Sequence, residues 1–177
     1  MKIKKLGIVV ERLNFCQFGV ELIRNLNILC HKSIGTDIIV FREETEPLPM
    51  TPNFAIMHIK ELWRFDGWAI STSIPTTQKL ISAACPRRKF FYLWQLEWLY
   101  NSEISFDFLS KVYTHPDIEL LTRSKAEFDI IERIWRRPNS ILEDFSHEQL
   151  LELLGGTAPN TSKNPKSPTR NRKQVVA

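Results

Sequence analysis

The sequence predicts an α/β protein: a three-layer Rossmann-like domain whose open, mostly parallel sheet of about six or seven strands carries helices on both faces. Three observations lead there. Short apolar runs at residues 6–10 and 90–94 have strand length and no polar alternation, the pattern of strands buried on both faces of a parallel sheet. Between such runs lie segments whose apolar residues recur three and four apart, the period of an amphipathic helix. Residues 119–145 show the repeating unit in full, a short apolar strand, a serine-capped helix and a second strand.

The elements follow in order. Residues 6–10 form a compact apolar run closed by Glu11 and make a central strand. Phe15, Phe18, Leu22, Leu26 and Leu29 then recur at helical spacing with Glu21, Arg24 and Asn25 between them. Asn14 is placed to cap this helix, Gln17 to complete a capping box, and Gly35 to stop it. A strand at 37–41 completes a βαβ unit whose crossover is expected to be right-handed. Residues 42–53, REETEPLPMTPN, form a surface loop, because proline lacks the amide hydrogen that regular structure needs. Strands follow at 54–58 and 68–72. Pro75, with Thr76 or Thr77, opens a helix running through Leu80, Ile81 and Ala84, and the turn CPRRK leads to an aromatic-rich strand at 90–94. A short helix at 106–113 precedes the sixth strand, 119–122. Ser124 and Glu127 then form an S-x-x-E capping box, Phe128, Ile131 and Trp135 line one helix face, and Asp129–Arg133 and Glu132–Arg136 stand four apart in acid-before-base order. Pro138 ends that helix, 140–142 make a last strand, and 146–154 a final helix.

Composition sets the boundaries of this domain. With 177 residues, 43% hydrophobic and 11% aromatic, the chain can bury a sizeable core, and residues 1–154 read as a single domain. Its apolar runs fall far short of the ~20 residues that span a bilayer, so no membrane association is expected. The basic N-terminus is interrupted by Glu11 and Arg12 before any cleavage signal, which argues for a cytoplasmic protein, or one of the host cytoplasm if the source is viral. Cys16, Cys30 and Cys85 are odd in number and widely spaced, so they read as reduced thiols, the first two in a helix and the third at the end of another. No HExxH, HxH or paired Cys/His spacing occurs, and no metal site is expected.

The net charge of +4 has an uneven origin. Residues 155–177 carry Lys163, Lys166, Arg170, Arg172 and Lys173 and no acid; the rest holds 19 of the 24 basic residues against all 20 acidic ones, a net charge of −1. The Pro-, Ser-, Thr- and Asn-rich composition of 155–177 predicts a disordered basic tail. Such a tail is either a solubilising end or an arm for nucleic acid.

In open parallel sheets ligands bind at the carboxyl ends of the strands. That edge offers Glu11, Arg12 and Asn14, then Ser71, Thr72 and Ser73, then Gln95 and Glu97, and last Arg123 and Ser124. Asn14 and Ser124 also serve as helix caps, and Ser71 to Ser73 as turn residues, since no glycines allow close approach of a phosphate. Neither GxGxxG nor GxxxxGK[ST] occurs, which speaks against a dinucleotide or P-loop site. The run WQLEWLY at 94–100 is the most unusual composition. Trp98 beside Gln95 and Glu97 suits an aromatic platform for a sugar ring, and the same tryptophans equally suit closure of the core. Glu97 as a general base has no second acid or histidine beside it by spacing, and no residue is assigned as catalytic.

The unit ELLTRSKAEFDIIERIWRRPNSILEDF resembles the end of the N-terminal, acceptor-side lobe of GT-B glycosyltransferases, and LGIVVERLNFCQFGVELIRNL resembles the first strand and helix of that lobe. The resemblance covers roughly residues 5–150 in layout. Runs such as NFCQFGVELI, RFDGWAISTS and FFYLWQLEWL are also similar to short uncharacterised proteins of tailed bacteriophages of cyanobacteria. Two departures from the GT-B pattern stand out: no glycine follows the first strand until Gly19, and no donor lobe has a counterpart. The resemblance therefore implies the fold and no catalytic residue. It implies a non-catalytic or partial module that binds a glycan, nucleotide or protein partner, with a second chain able to complete its cleft. The alternative is an autonomous small glycosyltransferase, using a sugar nucleotide and acting on a sugar or nucleic-acid acceptor.

Overall fold

The computed structural model describes residues 4–33, 35–100 and 105–155. Seven strands, β1 (Lys4–Val10), β2 (Thr36–Arg42), β3 (Ala55–His58), β4 (Trp68–Ser71), β5 (Arg88–Leu93), β6 (Ile118–Thr122) and β7 (Ser140–Ile141), form one sheet in the order β3-β2-β1-β4-β5-β6-β7. Every neighbouring pair is parallel. Helices α1 (Gln17–Lys32), α2 (Ile74–Ser82), α3 (Phe106–Tyr113), α4 (Lys125–Ile134) and α5 (His147–Gly155) complete a three-layer Rossmann-like fold.

Strand alternation explains the layers. Ile8, Val10, Ile70, Phe90 and Tyr92 point to one face, where they meet Leu22, Ile23, Leu26 and Leu29 of α1 and Leu150 and Leu154 of α5. Their neighbours point the other way. Phe91, Leu93 and Leu120 pack with Ile74 of α2, Leu109, Val112 and Tyr113 of α3, and Ile131 of α4. Val9, Phe41 and Ala69 on the same side meet Leu80 and Ala83 at the end of α2, and Ile59, Leu62 and Phe65 of a 3₁₀ connection. A strand apolar on both faces is the only kind that fits between two such layers.

The chain lays β1, β2 and β3 in one direction and then returns across β1 to place β4 on its other side. The carboxyl ends of β1 and β4 thus diverge into loops going opposite ways, and this opens a crevice at the sheet edge.

Several local expectations are corrected. α1 is capped by Cys16, whose Sγ accepts the Gly19 N–H at 3.4 Å, and not by Asn14, whose Oδ1 accepts the Cys16 N–H at 3.3 Å. Phe15 therefore precedes the helix and is exposed. Cys85 lies three residues past the end of α2 and is exposed, as is Cys16. Ser73 caps α2 in a capping box with Thr76, so the helix starts at Ile74, one residue ahead of Pro75. On α4 the observed pairs are Lys125–Asp129, 2.6 Å, and Arg137–Glu132, 3.7 Å. Arg136 turns inward instead, donating from Nε to the Tyr113 carbonyl at 2.8 Å and from its guanidinium to the Ile118 carbonyl. Buried carbonyls beyond the helix end outcompete a solvated carboxylate four residues back. The basic stretch 156–177 lies outside the described residues, while Gly155 closes α5.

Candidate functional site

A cleft of about 570 Å³ opens at the β1/β4 crevice, lined by residues from the loops after β1, β4 and β5 and from the start of α1. Two backbone hydrogen bonds fix the first loop: the Glu11 carbonyl accepts the N–H groups of Glu43 and Glu44, both at 3.0 Å. The Thr72 hydroxyl donates to the Val9 carbonyl at 3.1 Å and ties the end of β4 to that of β1. At the start of α1, Gly19 approaches the Asn14 carbonyl so closely that a Cβ there would stand 2.2 Å from the oxygen. Only glycine lets the loop fold back over the helix and bring Asn14 to the cleft.

Glu97 follows β5 in a 3₁₀ turn, and its carboxylate reaches the first turn of α2. Both oxygens accept the Ile74 N–H, at 3.1 and 3.2 Å, so the acid occupies a helix N-terminus, a position that favours negative charge. Burial nevertheless pushes this carboxyl up to about 7; the Ile74 hydrogen bond opposes the rise and the Glu11 charge adds to it. The second acid that spacing did not place beside Glu97 is thus Glu11. Among the described residues the Glu11 carboxylate has no hydrogen-bond or ion-pair partner.

The aromatic wall of the cleft is Trp94 with Phe18, ring centroids 5.1 Å apart. Behind Trp94, the Arg123 guanidinium lies 4.0 Å from the ring centroid, and its Nε donates to Asp144 Oδ1 at 2.6 Å. Asp144 and Phe145 both adopt positive φ, 44° and 59°, a conformation side chains resist. Burial of Phe145 against Tyr92, with centroids 4.9 Å apart, and the Arg123 pair hold that turn in place.

The nine residues singled out from the sequence separate accordingly. Glu11, Asn14, Ser73, Gln95 and Glu97 line the cleft. Ser71 is fully buried beneath it, donating to the Phe90 carbonyl at 3.0 Å and sharing a 2.7 Å hydrogen bond with Thr77. Arg123 backs the aromatic wall, and Ser124 caps α4 by accepting the Glu127 N–H at 3.3 Å. Trp98 faces the α2–α4 layer, edge-on to Tyr113 at 5.1 Å and to Trp135 at 6.4 Å, and closes core there. The indole at the cleft is Trp94 instead. Cys16, Gln17 and Phe18 also line it and were not singled out. The strand-end rule that selected Gln95 extends to Trp94, whereas Phe18 at helical spacing carries no signal that distinguishes it from a core residue.

No protein-family model, curated protein or solved structure matches this chain. The geometry of the cleft therefore carries the functional reading. A second cleft, about 360 Å³, lies between Lys4, Lys5, Asp66 and Arg87 at the opposite edge, the amino ends of the strands, where no loops converge from a switch point. Among the described residues no helix is long and apolar enough to cross a membrane.

Proposed function

We propose that this chain is a GT-B-like, single-lobe binding module that holds a sugar ring of a glycan in the switch-point cleft. One observation carries the reading: Glu11, Asn14, Ser73, Gln95 and Glu97, brought from three loops, converge on a cleft walled by Trp94. Carboxylates and amides accept hydrogen bonds from vicinal hydroxyls, and an indole face covers the apolar C–H face of a pyranose. A cleft of this size matches a small ligand of one or two rings. Its open side leaves room for a second chain to complete the enclosure. Titration with a panel of mono- and disaccharides, neutral and charged, tests the reading. Trp94→Ala is expected to weaken binding at least tenfold, or about 1.4 kcal/mol, and failure of the folded wild-type chain to bind any member at millimolar concentration overturns it.

An autonomous glycosyltransferase is the second reading, and Glu97 favours it, because a carboxyl near 7 suits a general base. The donor of such an enzyme is a sugar nucleotide, whose diphosphate seeks an open helix N-terminus. At α2 that position is already taken by Glu97, so the residues present do not fit the group there. Turnover of any member of a sugar-nucleotide panel would reverse this ranking.

A further inference from the structure

The charges around the cleft decide what kind of sugar it takes. Two acids, Glu11 and Glu97, line the cavity, and Glu11 has no partner among the described residues. Of the two cations close by, Arg12 lines the cavity itself and lies 3.9 Å from Glu46, and Arg123 is held by Asp144 behind the indole. Two of the donors that would greet an anion are engaged. The Ile74 N–H goes to Glu97, and the Ser73 hydroxyl is in hydrogen-bond contact with Thr76 Oγ1 at 2.9 Å. The same cavity presents the rings of Trp94 and Phe18, whose faces attract cations.

We propose that the ligand is a sugar bearing a protonated amine, with the ammonium held between Glu11 and Glu97 beside Trp94, and that phosphorylated sugars are excluded. The proposal rests on the reading of the cleft as a sugar site. An ammonium supplies the donor that Glu11 lacks, adds one to Glu97, whose oxygens share the Ile74 N–H, and offsets the repulsion between the two acids in a partly desolvated space. A phosphate in the same place meets both acids and finds no free helix N-terminus at α2. Glu97 acts here as an internal anion, filling the place a ligand phosphate would take.

Calorimetric titration at pH 7 with glucose, galactose and mannose, each beside its 2-amino and 6-phosphate counterparts, tests the proposal on the full chain. At least one 2-amino sugar is expected to bind tenfold or more tightly than its neutral parent, with no heat from the phosphates. Glu11→Gln and Glu97→Gln, both near-isosteric, should each reduce that preference at least threefold, read as the ratio of amino-sugar to neutral-sugar affinity in the same variant. Neutral sugars binding as well as amino sugars, or phosphates binding best, would overturn the amine proposal and leave the sugar cleft standing. Silence across the whole panel would remove both.

Discussion

Glu97 shows how burial and chemistry meet in one side chain. Its carboxyl titrates near 7 in the folded protein against an ordinary value of 4.5, so between those values the folded state holds a proton that the unfolded state has released. Stability is therefore undiminished below about pH 4.5 and is lost as pH rises through 7, a penalty on the order of 3 kcal/mol once Glu97 is ionised. Glu97→Gln keeps an oxygen for the Ile74 N–H and removes the titration. Urea unfolding from pH 5 to pH 8 should show the wild-type midpoint falling relative to the variant, and parallel curves would contradict the assignment. Tyr113 poses the opposite problem. It is fully buried, its hydroxyl has no partner among the described residues, and burial, then the charges of Glu97 and Glu127, push its pKa up and keep it protonated. Tyr113→Phe should leave stability unchanged or raise it by up to about 1 kcal/mol, because an unmade buried hydrogen bond is removed. A clear loss in thermal melts would mean that an internal water satisfies the hydroxyl. Neither residue's state was legible in the sequence: the environment of a titratable group comes from elements distant along the chain.

At the scale of elements, the amphipathic helices were legible because their period is local, and their ends were legible only in part. Ser124 acts as the cap its spacing predicts, Ser73 caps α2 where the sequence predicts a turn residue, and Asn14 yields its position to Cys16 because the tight Gly19–Asn14 contact moves the helix start two residues along. Gly19→Ala should therefore disturb the cleft as well as the helix, lowering sugar affinity together with the melting temperature. Leu26→Ala, in the middle of α1 and fully buried, should cost about 2–5 kcal/mol and leave affinity in the folded fraction unchanged. The contrast between Trp94 and Trp98 tests element placement more sharply. Trp98→Ala opens space against Tyr113 and Trp135 and should lower stability with no effect on ligand binding, whereas Trp94→Ala should weaken binding as well as remove ring contacts with Phe18 and Tyr92. Their four-residue separation straddles the turn after β5, which sends one indole to each side.

Across the whole molecule, charge and topology are separable. The described fold carries a nearly balanced charge, and the excess of basic residues belongs to 155–177. Any RNA or DNA retention should therefore weaken steeply between 50 and 200 mM salt and disappear when 156–177 are deleted, with sugar binding intact. Retention by the shortened chain would place a nucleic-acid surface on the fold itself. The sheet order, by contrast, is what makes a cleft at all: β4 returns beside β1, and the loops after the two strands part.

The sequence by itself determined the fold class, the positions of most strands and helices, and the edge on which polar residues such as Glu11, Asn14, Ser73, Gln95 and Glu97 would gather. These follow from local periodicity and from the rule that loops after parallel strands share one edge. Only the tertiary structure decided which of those residues meet: that Ser71 lies beneath the cleft, that Trp94 and not Trp98 walls it, and that Glu97 closes the N-terminus of α2 opposite Glu11. The physical reason is that charge pairing, burial and ring orientation act across space between segments far apart in the chain, such as those of Glu11 and Glu97 or of Phe18 and Phe145, and no local pattern in the chain encodes them.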